Sequence, residues 1–301
     1  MTQIAGTHTD MSGIDRVTSR QLRVLVTVVE EASFGAAADV LGLSQSGVSH
    51  AVAQLEQRLG ARLLDRRRDG AALTDAGQQV LPHLRAALSS LDAARQASQR
   101  GGRIDGVLRV GSLPSVTTPL LGPLLQRLAE TSPDIDVVLL EGTDGEVASW
   151  LEEAAIDLAV IASLTPDRDG RALGCDRFVG VVPASHPHAR HRKVELAQLT
   201  DLGFIASRAG CEPFQRELFR LADLTFEPRH AAFDATTLLR MVAAGLGATA
   251  VPELLLDGHD LTGLAIRPLA VELVRHLHLV SAVHPASPAA DAFCALLPRP
   301  T

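Results

Sequence analysis

The sequence predicts an α/β protein in two parts: a small, mainly helical N-terminal module, joined through a long helix to a C-terminal part in which strands and helices alternate. Three observations predict this. Up to Gln99, apolar residues recur mostly at helical spacing, with capping residues before and glycines after the runs. A polar, glycine-rich stretch from Gln99 to Gly106 (QRGGRIDG) then breaks the pattern and reads as a linker. Beyond it, short apolar runs alternate with helical ones, as in a parallel or mixed sheet with crossover helices.

In chain order, residues 1–17 read as a disordered lead-in. Leu22, Leu25, Val26 and Val29 share one face of a helix over Ser19–Ala32. Ser33 is placed to cap a short helix from Phe34 to Leu41, which Gly42 ends; Ser44 caps a third helix reaching Leu59, stopped by Gly60. Residues 61–73 suit two short strands around the turn signal Arg68-Asp69-Gly70. Thr74 then caps a helix to about Gln99, in which Val80, Leu84, Leu88, Leu91 and Ala94 form a stripe and Pro82 marks a kink or weak point. After the linker come a strand at Val107–Gly111, a helix at 117–131, a strand at Asp136–Glu141, a helix at 144–154 and a strand at Leu158–Ala162.

Composition narrows the function. The net charge is −7, yet between Arg16 and Arg103 there are 12 arginines, no lysine and eight acids. A basic N-terminal part on an acidic body fits one nucleic-acid module rather than a general polyanion binder. Cys175, Cys211 and Cys294 are odd in number and far apart, so neither a disulfide framework nor a zinc knuckle is expected, and a reducing cytoplasm fits. Met1–Gly13 is polar and does not read as an export leader, and no apolar run is long enough for a membrane span. The His186, His188 and His191 group has loose metal-like spacing without accompanying acids or cysteines; it reads as a solvated loop, and no metal or cofactor is expected.

The third helix carries the most information. On a helical wheel Val48, Ala51, Val52, Leu55 and Leu59 point one way, and Ser46, Ser49, His50, Ala53 and Gln57 the other, with Gln45 at the edge. The outward face is small, polar and nearly free of acids, which suits a helix entering a major groove, where acids would meet phosphate. Arg66, Arg67 and Arg68 follow at a turn from which long cations reach phosphates or a minor groove.

The stretch RQLRVLVTVVEEASFGAAADVLGLSQSGVSHAVAQLEQRLGARLLDR, followed by LTDAG, resembles the LysR-type transcriptional regulators over some 60 residues from Arg20 to Gly77. The resemblance implies a winged helix-turn-helix at 18–75 and a linker and dimerisation helix at 76–104. It further implies a C-terminal effector domain at 105–301, periplasmic-binding-protein-like (type 2), with subdomain I at 105–180 and 264–301 and subdomain II at 181–263. The strand Phe178–Pro183 crosses between the subdomains, Leu264–Pro268 crosses back, and the run Leu277–Val283 returns to the first sheet. Carried over, the DNA-facing positions are Ser33, Gln45, Ser46, Ser49 and His50, with Arg66 in the wing. Two departures bear on sequence preference: Ser46-Gly47 stands where the family often has Pro-Ala, and His50 where it often has Arg. The expected partners are double-stranded DNA, a second copy of the chain in a homodimer or homotetramer, a small-molecule effector, and RNA polymerase if the protein activates.

For the effector, SLPSVTTP (Ser112–Pro119) sits between a strand and a helix, where amides and hydroxyls gather into an anion site; Ser112, Ser115, Thr117 and Thr118 are the candidates. Ser163, Ser207, Cys211 and Thr236 are expected to face the same cleft. Arg208 reads as a solvated loop arginine, with capture of a carboxylate effector as the alternative. Cys211 reads as a small buried apolar residue, with a redox-sensing thiol as the alternative. No GxSxG elbow, P-loop or GxGxxG after a strand is present, so an enzyme is not expected. A DNA-binding regulator that senses no ligand is the remaining alternative.

Overall fold

A computed structural model describes residues 16–67, 70–98, 104–165, 170–282 and 287–297. The chain divides into two compact units, one comprising residues 1–98 with 153–155 and the other the remainder.

In the first unit, α1 (Ser19–Glu30) opens on a capping box between Thr18 and Gln21. Helix α2 (Phe34–Leu41) is capped by Ser33, whose Oγ accepts from the Ala36 amide at 3.3 Å, and α3 (Gln45–Leu59) by Ser44, whose Oγ accepts from the Gly47 amide at 3.1 Å. Both helices stop on glycines in the left-handed region, Gly42 at φ +63° and Gly60 at φ +71°, where a side chain would be strained. Leu22, Leu25, Val28, Val48, Val52 and Leu55 close the core where the three helices meet. Strands β1 (Leu64–Arg67) and β2 (Gly70–Leu73) form an antiparallel hairpin. Glu56 ties this hairpin to α3, its Oε1 accepting from the Leu63 and Leu64 amides at 2.7 and 3.1 Å. Thr74 caps α4 (Asp75–Ser98) through the Gly77 amide at 3.0 Å.

The second unit is built on a seven-stranded mixed sheet among the described residues. Strand β3 (Gly106–Ser112) pairs in parallel with β4 (Ile135–Glu141) and β5 (Leu158–Ser163). The helix expected at 117–131 is instead a turn, α5 (Pro114–Val116), a π-helical turn at Thr117–Leu121, and α6 (Gly122–Thr131). Pro119 and Pro123 have no amide hydrogen to give the α-helical ladder, which re-registers between them. Helix α7 (Asp144–Glu152) crosses from β4 to β5.

Strand β6 runs from Arg171 to Pro183, starting seven residues before the expected Phe178. Its first part pairs antiparallel with β11 (Val274–Ser281), with a bulge opposite Leu277/His278, and β11 pairs on its other side with β5. Its second part pairs with β9 (Thr249–Pro252) and β10 (Leu264–Pro268). Around that end lie α8 (Leu196–Asp201), a parallel pair of β7 (Ile205–Ser207) and β8 (His230–Ala232), α9 (Glu212–Leu221) and α10 (Ala235–Ala243). Helix α11 (Pro288–Ala295) packs on α6 and β3. The expected strand end at Val283 lies outside the described residues, and β11 stops at Ser281.

Candidate nucleic-acid interface and sensing cluster

Two places gather the candidate residues, one in each unit. In the first, Val48, Val52 and Leu55 are buried, which turns Gln45, Ser46 and His50 outward at the exposed N-terminal half of α3, with Ser49 half-buried beside them. The first turn of α3 holds no acid. The Ser46 hydroxyl lies 3.0 Å from that of the capping Ser44. The free amides of a capped helix start, with the positive end of the helix dipole, suit a phosphate or base acceptor.

Ser33 stands apart on α2, where its hydroxyl oxygen is engaged in capping. The hairpin reaches its neighbourhood, because the Ala71 amide donates to the Ala32 carbonyl at 2.8 Å. Arg66 and Arg67 end β1, opposite Ala71 and Gly70, while Arg68 lies outside the described residues.

The second unit centres on an ion pair that sequence reasoning missed. Arg275 on β11 and Asp176 on β6 sit directly opposite in the ladder, and their side chains are 2% and 5% exposed. Arg275 donates from Nε to Asp176 Oδ1 at 2.6 Å and from Nη2 to Asp176 Oδ2 at 3.1 Å and Ser115 Oγ at 2.9 Å. Asp176 Oδ2 also accepts from the Leu254 amide at 3.2 Å. Both charges are thus met by several partners, as burial demands.

Of the sequence candidates, this cluster includes Ser115, Ser207 and Cys211. Ser207 is 1% exposed, and its Oγ has no oxygen or nitrogen partner among the described residues, with the Cys211 thiol as its neighbour. Its amide donates to Gln215 Oε1 at 3.0 Å, and Gln215 in turn donates to the Ala250 carbonyl at 2.8 Å. Cys211, at the start of α9, is buried. Burial pushes its thiol up to about 11, against the opposing pull of the Arg275 guanidinium and the Ser207 hydroxyl.

Other candidates lie elsewhere or are spent on the backbone. Ser112 is fully buried and donates weakly to the Leu113 carbonyl at 3.4 Å; Thr117 Oγ1 donates to the same carbonyl at 3.3 Å. Thr118 is exposed on the π turn. Ser163 donates to the Thr165 carbonyl. Thr236 is exposed within the first turn of α10, whose cap is Asp234. Arg208 is exposed and bound to Glu212 at 3.0 Å. A recess of about 530 Å³ lies next to the ion pair, and its charged lining is mostly acidic, with Asp176, Glu253, Asp257 and Glu272 beside Arg177. None of the serine, threonine or cysteine candidates lines it.

A helix-turn-helix module with a hairpin wing, followed by a long helix and a strand–helix domain with a polar cluster in its core, defines a ligand-responsive transcriptional regulator. The chain belongs to the LysR family. Residues 19–78 match the bacterial regulatory helix-turn-helix protein model of that family, and residues 101–299 match the LysR substrate binding domain. A relative in Bacillus subtilis (strain 168), the uncharacterized HTH-type transcriptional regulator YvbU, is 30% identical over 92% of this chain and 96% of its own. The HTH-type transcriptional regulator ShiR of Corynebacterium glutamicum (strain R) is 31% identical over 88% of this chain and 90% of its own. Among solved structures, a full-length OxyR variant from Pseudomonas aeruginosa superposes with a TM-score of 0.75 at 23% identity, covering 94% of this chain and 98% of that one. A Corynebacterium glutamicum OxyR mutant gives 0.58 at 27% identity, covering 93% and 91%. The protein is accordingly a LysR-type DNA-binding transcriptional regulator with an effector-binding domain, in a family of regulators rather than enzymes. Among the described residues no helix is long and apolar enough to cross a membrane.

Proposed function

We propose that the protein reads double-stranded DNA through Gln45, Ser46, Ser49 and His50 on α3, with Ser33 and the wing arginines Arg66, Arg67 and Arg68 on flanking phosphates. The acid-free, exposed start of α3 carries this reading. In a homodimer, or a homotetramer of two such dimers, paired α3 helices meet half-sites about 34 Å apart or a multiple of that. Where the protein activates, RNA polymerase is the further partner.

The effector is a small polar molecule held between subdomains I and II around Ser115, Ser207 and Cys211, with Ser112, Thr117, Thr118, Ser163 and Thr236 as the further candidates for contact with it. The buried Ser207 hydroxyl supports this, because it has only a weakly bonding thiol, that of Cys211, beside it and no oxygen or nitrogen partner among the described residues, and such a group costs free energy until a stronger partner bonds it. With Arg208 held by Glu212 and Arg275 by Asp176, a carboxylate effector is met by hydroxyls and amides rather than by a free cation. A second reading, a redox sensor working through Cys211, is favoured by the guanidinium near the thiol and by a 36% identical relative over 58% of this chain, the probable hydrogen peroxide-inducible genes activator of Mycobacterium xenopi.

The test is a mobility-shift titration against the DNA upstream of the protein's own gene at two salt concentrations. Binding that survives competitor DNA and weakens with salt is expected, since released counterions make affinity fall as salt rises. Absence of binding even to random duplex at low salt sinks the DNA reading. Melting-temperature screens with small carboxylates and with mild peroxide then separate the two sensing modes.

A further inference from the structure

The outer face of α3 is connected to the interior of its module by a chain of side chains whose direction is fixed. Gln21, buried on α1, accepts at Oε1 from Arg58 Nη1 at 2.5 Å and from the Thr18 amide at 3.1 Å. Both of those groups can only donate. The orientation of the Gln21 carboxamide is therefore set, and its Nε2 donates to Gln54 Oε1 at 3.0 Å. That in turn sets Gln54, whose Nε2 lies 2.8 Å from His50 Nε2. A carboxamide nitrogen has no lone pair to offer, so His50 Nε2 is the acceptor and the imidazole proton sits on Nδ1.

We propose that the relay Arg58–Gln21–Gln54 holds His50 as a one-way donor, through Nδ1–H, to a hydrogen-bond acceptor on DNA. Gln54, Gln21 and Arg58 are then positioning residues for DNA reading, although Gln21 and Arg58 lie away from the reading face. Reversing His50 would require both carboxamides to flip, which would set the Gln21 amino group against the Arg58 guanidinium, donor to donor. The acceptors within this chemistry are purine N7, guanine O6, thymine O4 and phosphate oxygen; the amino groups of adenine and cytosine are excluded. The inference rests on α3 being the DNA-reading helix.

The first test is nitrogen NMR of the full-length protein carrying 15N-labelled histidine, with His50 assigned by its disappearance in His50→Asn. The expected spectrum has a protonated Nδ1 and an unprotonated Nε2, the reverse of the tautomer that free histidine prefers. In Gln54→Met that pattern should revert, and likewise in Gln21→Met; the half-buried Gln54 keeps the test alive if the buried Gln21 variant does not fold. A protonated Nε2 in the wild-type protein overturns the relay. The second test enriches a randomised duplex library on the wild-type protein and titrates the enriched duplex with the variants. Gln54→Met should bind about 2- to 10-fold more weakly, the worth of one neutral hydrogen bond. A loss confined to one base position per half-site places the acceptor on a base edge; an equal loss on every sequence places it on phosphate. If Ser49→Ala and His50→Ala weaken binding but Gln54→Met does not, the relay is wrong. If neither Ser49→Ala nor His50→Ala matters, α3 is not the reading helix and the inference falls with it.

Discussion

Asp176 and Arg275 are each nearly inaccessible to water, so the pair matters most when half of it is removed. Deleting one member strands the other as a buried charge, which typically costs about 3–5 kcal/mol. Asp176→Ala should therefore lower the unfolding midpoint of the second unit sharply in urea, and Arg275→Met introduced into that variant should recover much of the loss; a second substitution as costly as the first would show that the charges do not depend on each other. Cys211 makes a separate prediction. With its thiol at about 11, only about one molecule in ten thousand is thiolate at pH 7, and the thiolate is the nucleophile. Because the shift is upward, reactivity should rise about tenfold per pH unit from pH 7 towards 10. Iodoacetamide at neutral pH should thus label the exposed Cys175 and spare Cys211, as followed by peptide mass spectrometry. Rapid neutral-pH labelling of Cys211 would instead favour the redox reading.

At the scale of elements, local chemistry decided what was legible. Helix α2 begins and ends where the sequence places it, because Ser33 and Gly42 act within their own turns. Strand β6 was only half legible. Its first part carries Arg171, Gly174, Asp176 and Arg177, which break the apolar run, and it is a strand because β11 pairs with it across about a hundred residues of sequence, a register no local pattern encodes. The same long-range pairing explains why Ser115, Ser207 and Cys211 were recognisable as candidates while Arg275 and Asp176 were not. Glu56 was likewise silent in the sequence, since nothing local says that a helix carboxylate will meet two amides of the next hairpin. Gly77 ends the LTDAG stretch for a reason visible only in three dimensions: a Cβ there would lie 2.1 Å from the Leu63 carbonyl oxygen and 2.9 Å from Leu73 Cδ2. Gly77→Ala should gain a little helix propensity yet destabilise the first unit by about 1–3 kcal/mol, the usual cost of overpacking. A variant as stable as the parent in thermal unfolding would mean that α4 slides along the hairpin at no cost.

The whole molecule depends on what covers the far half of α4. Val80, Leu84 and Leu88 of its apolar stripe pack into the core of their own module, whereas Leu91 remains 51% exposed and Ala94 is exposed beside it. An amphipathic helix whose stripe outruns its own core is suited to a second copy, and a two-fold axis would place Leu91 of each chain in the same interface. Burying one leucine contributes about 1.5–3 kcal/mol, and the symmetry counts it twice, so Leu91→Glu should raise the dimer dissociation constant roughly 100-fold or more in sedimentation equilibrium. DNA affinity should fall in step, because a dimer binds its second half-site at the high effective concentration set by the first, and a monomer has no such advantage. The steepness of the loss with protein dilution is the informative readout. A Leu91→Glu protein that remains dimeric at nanomolar concentration, with unchanged affinity for DNA, would move the interface off α4 and leave the exposed leucine to some other contact.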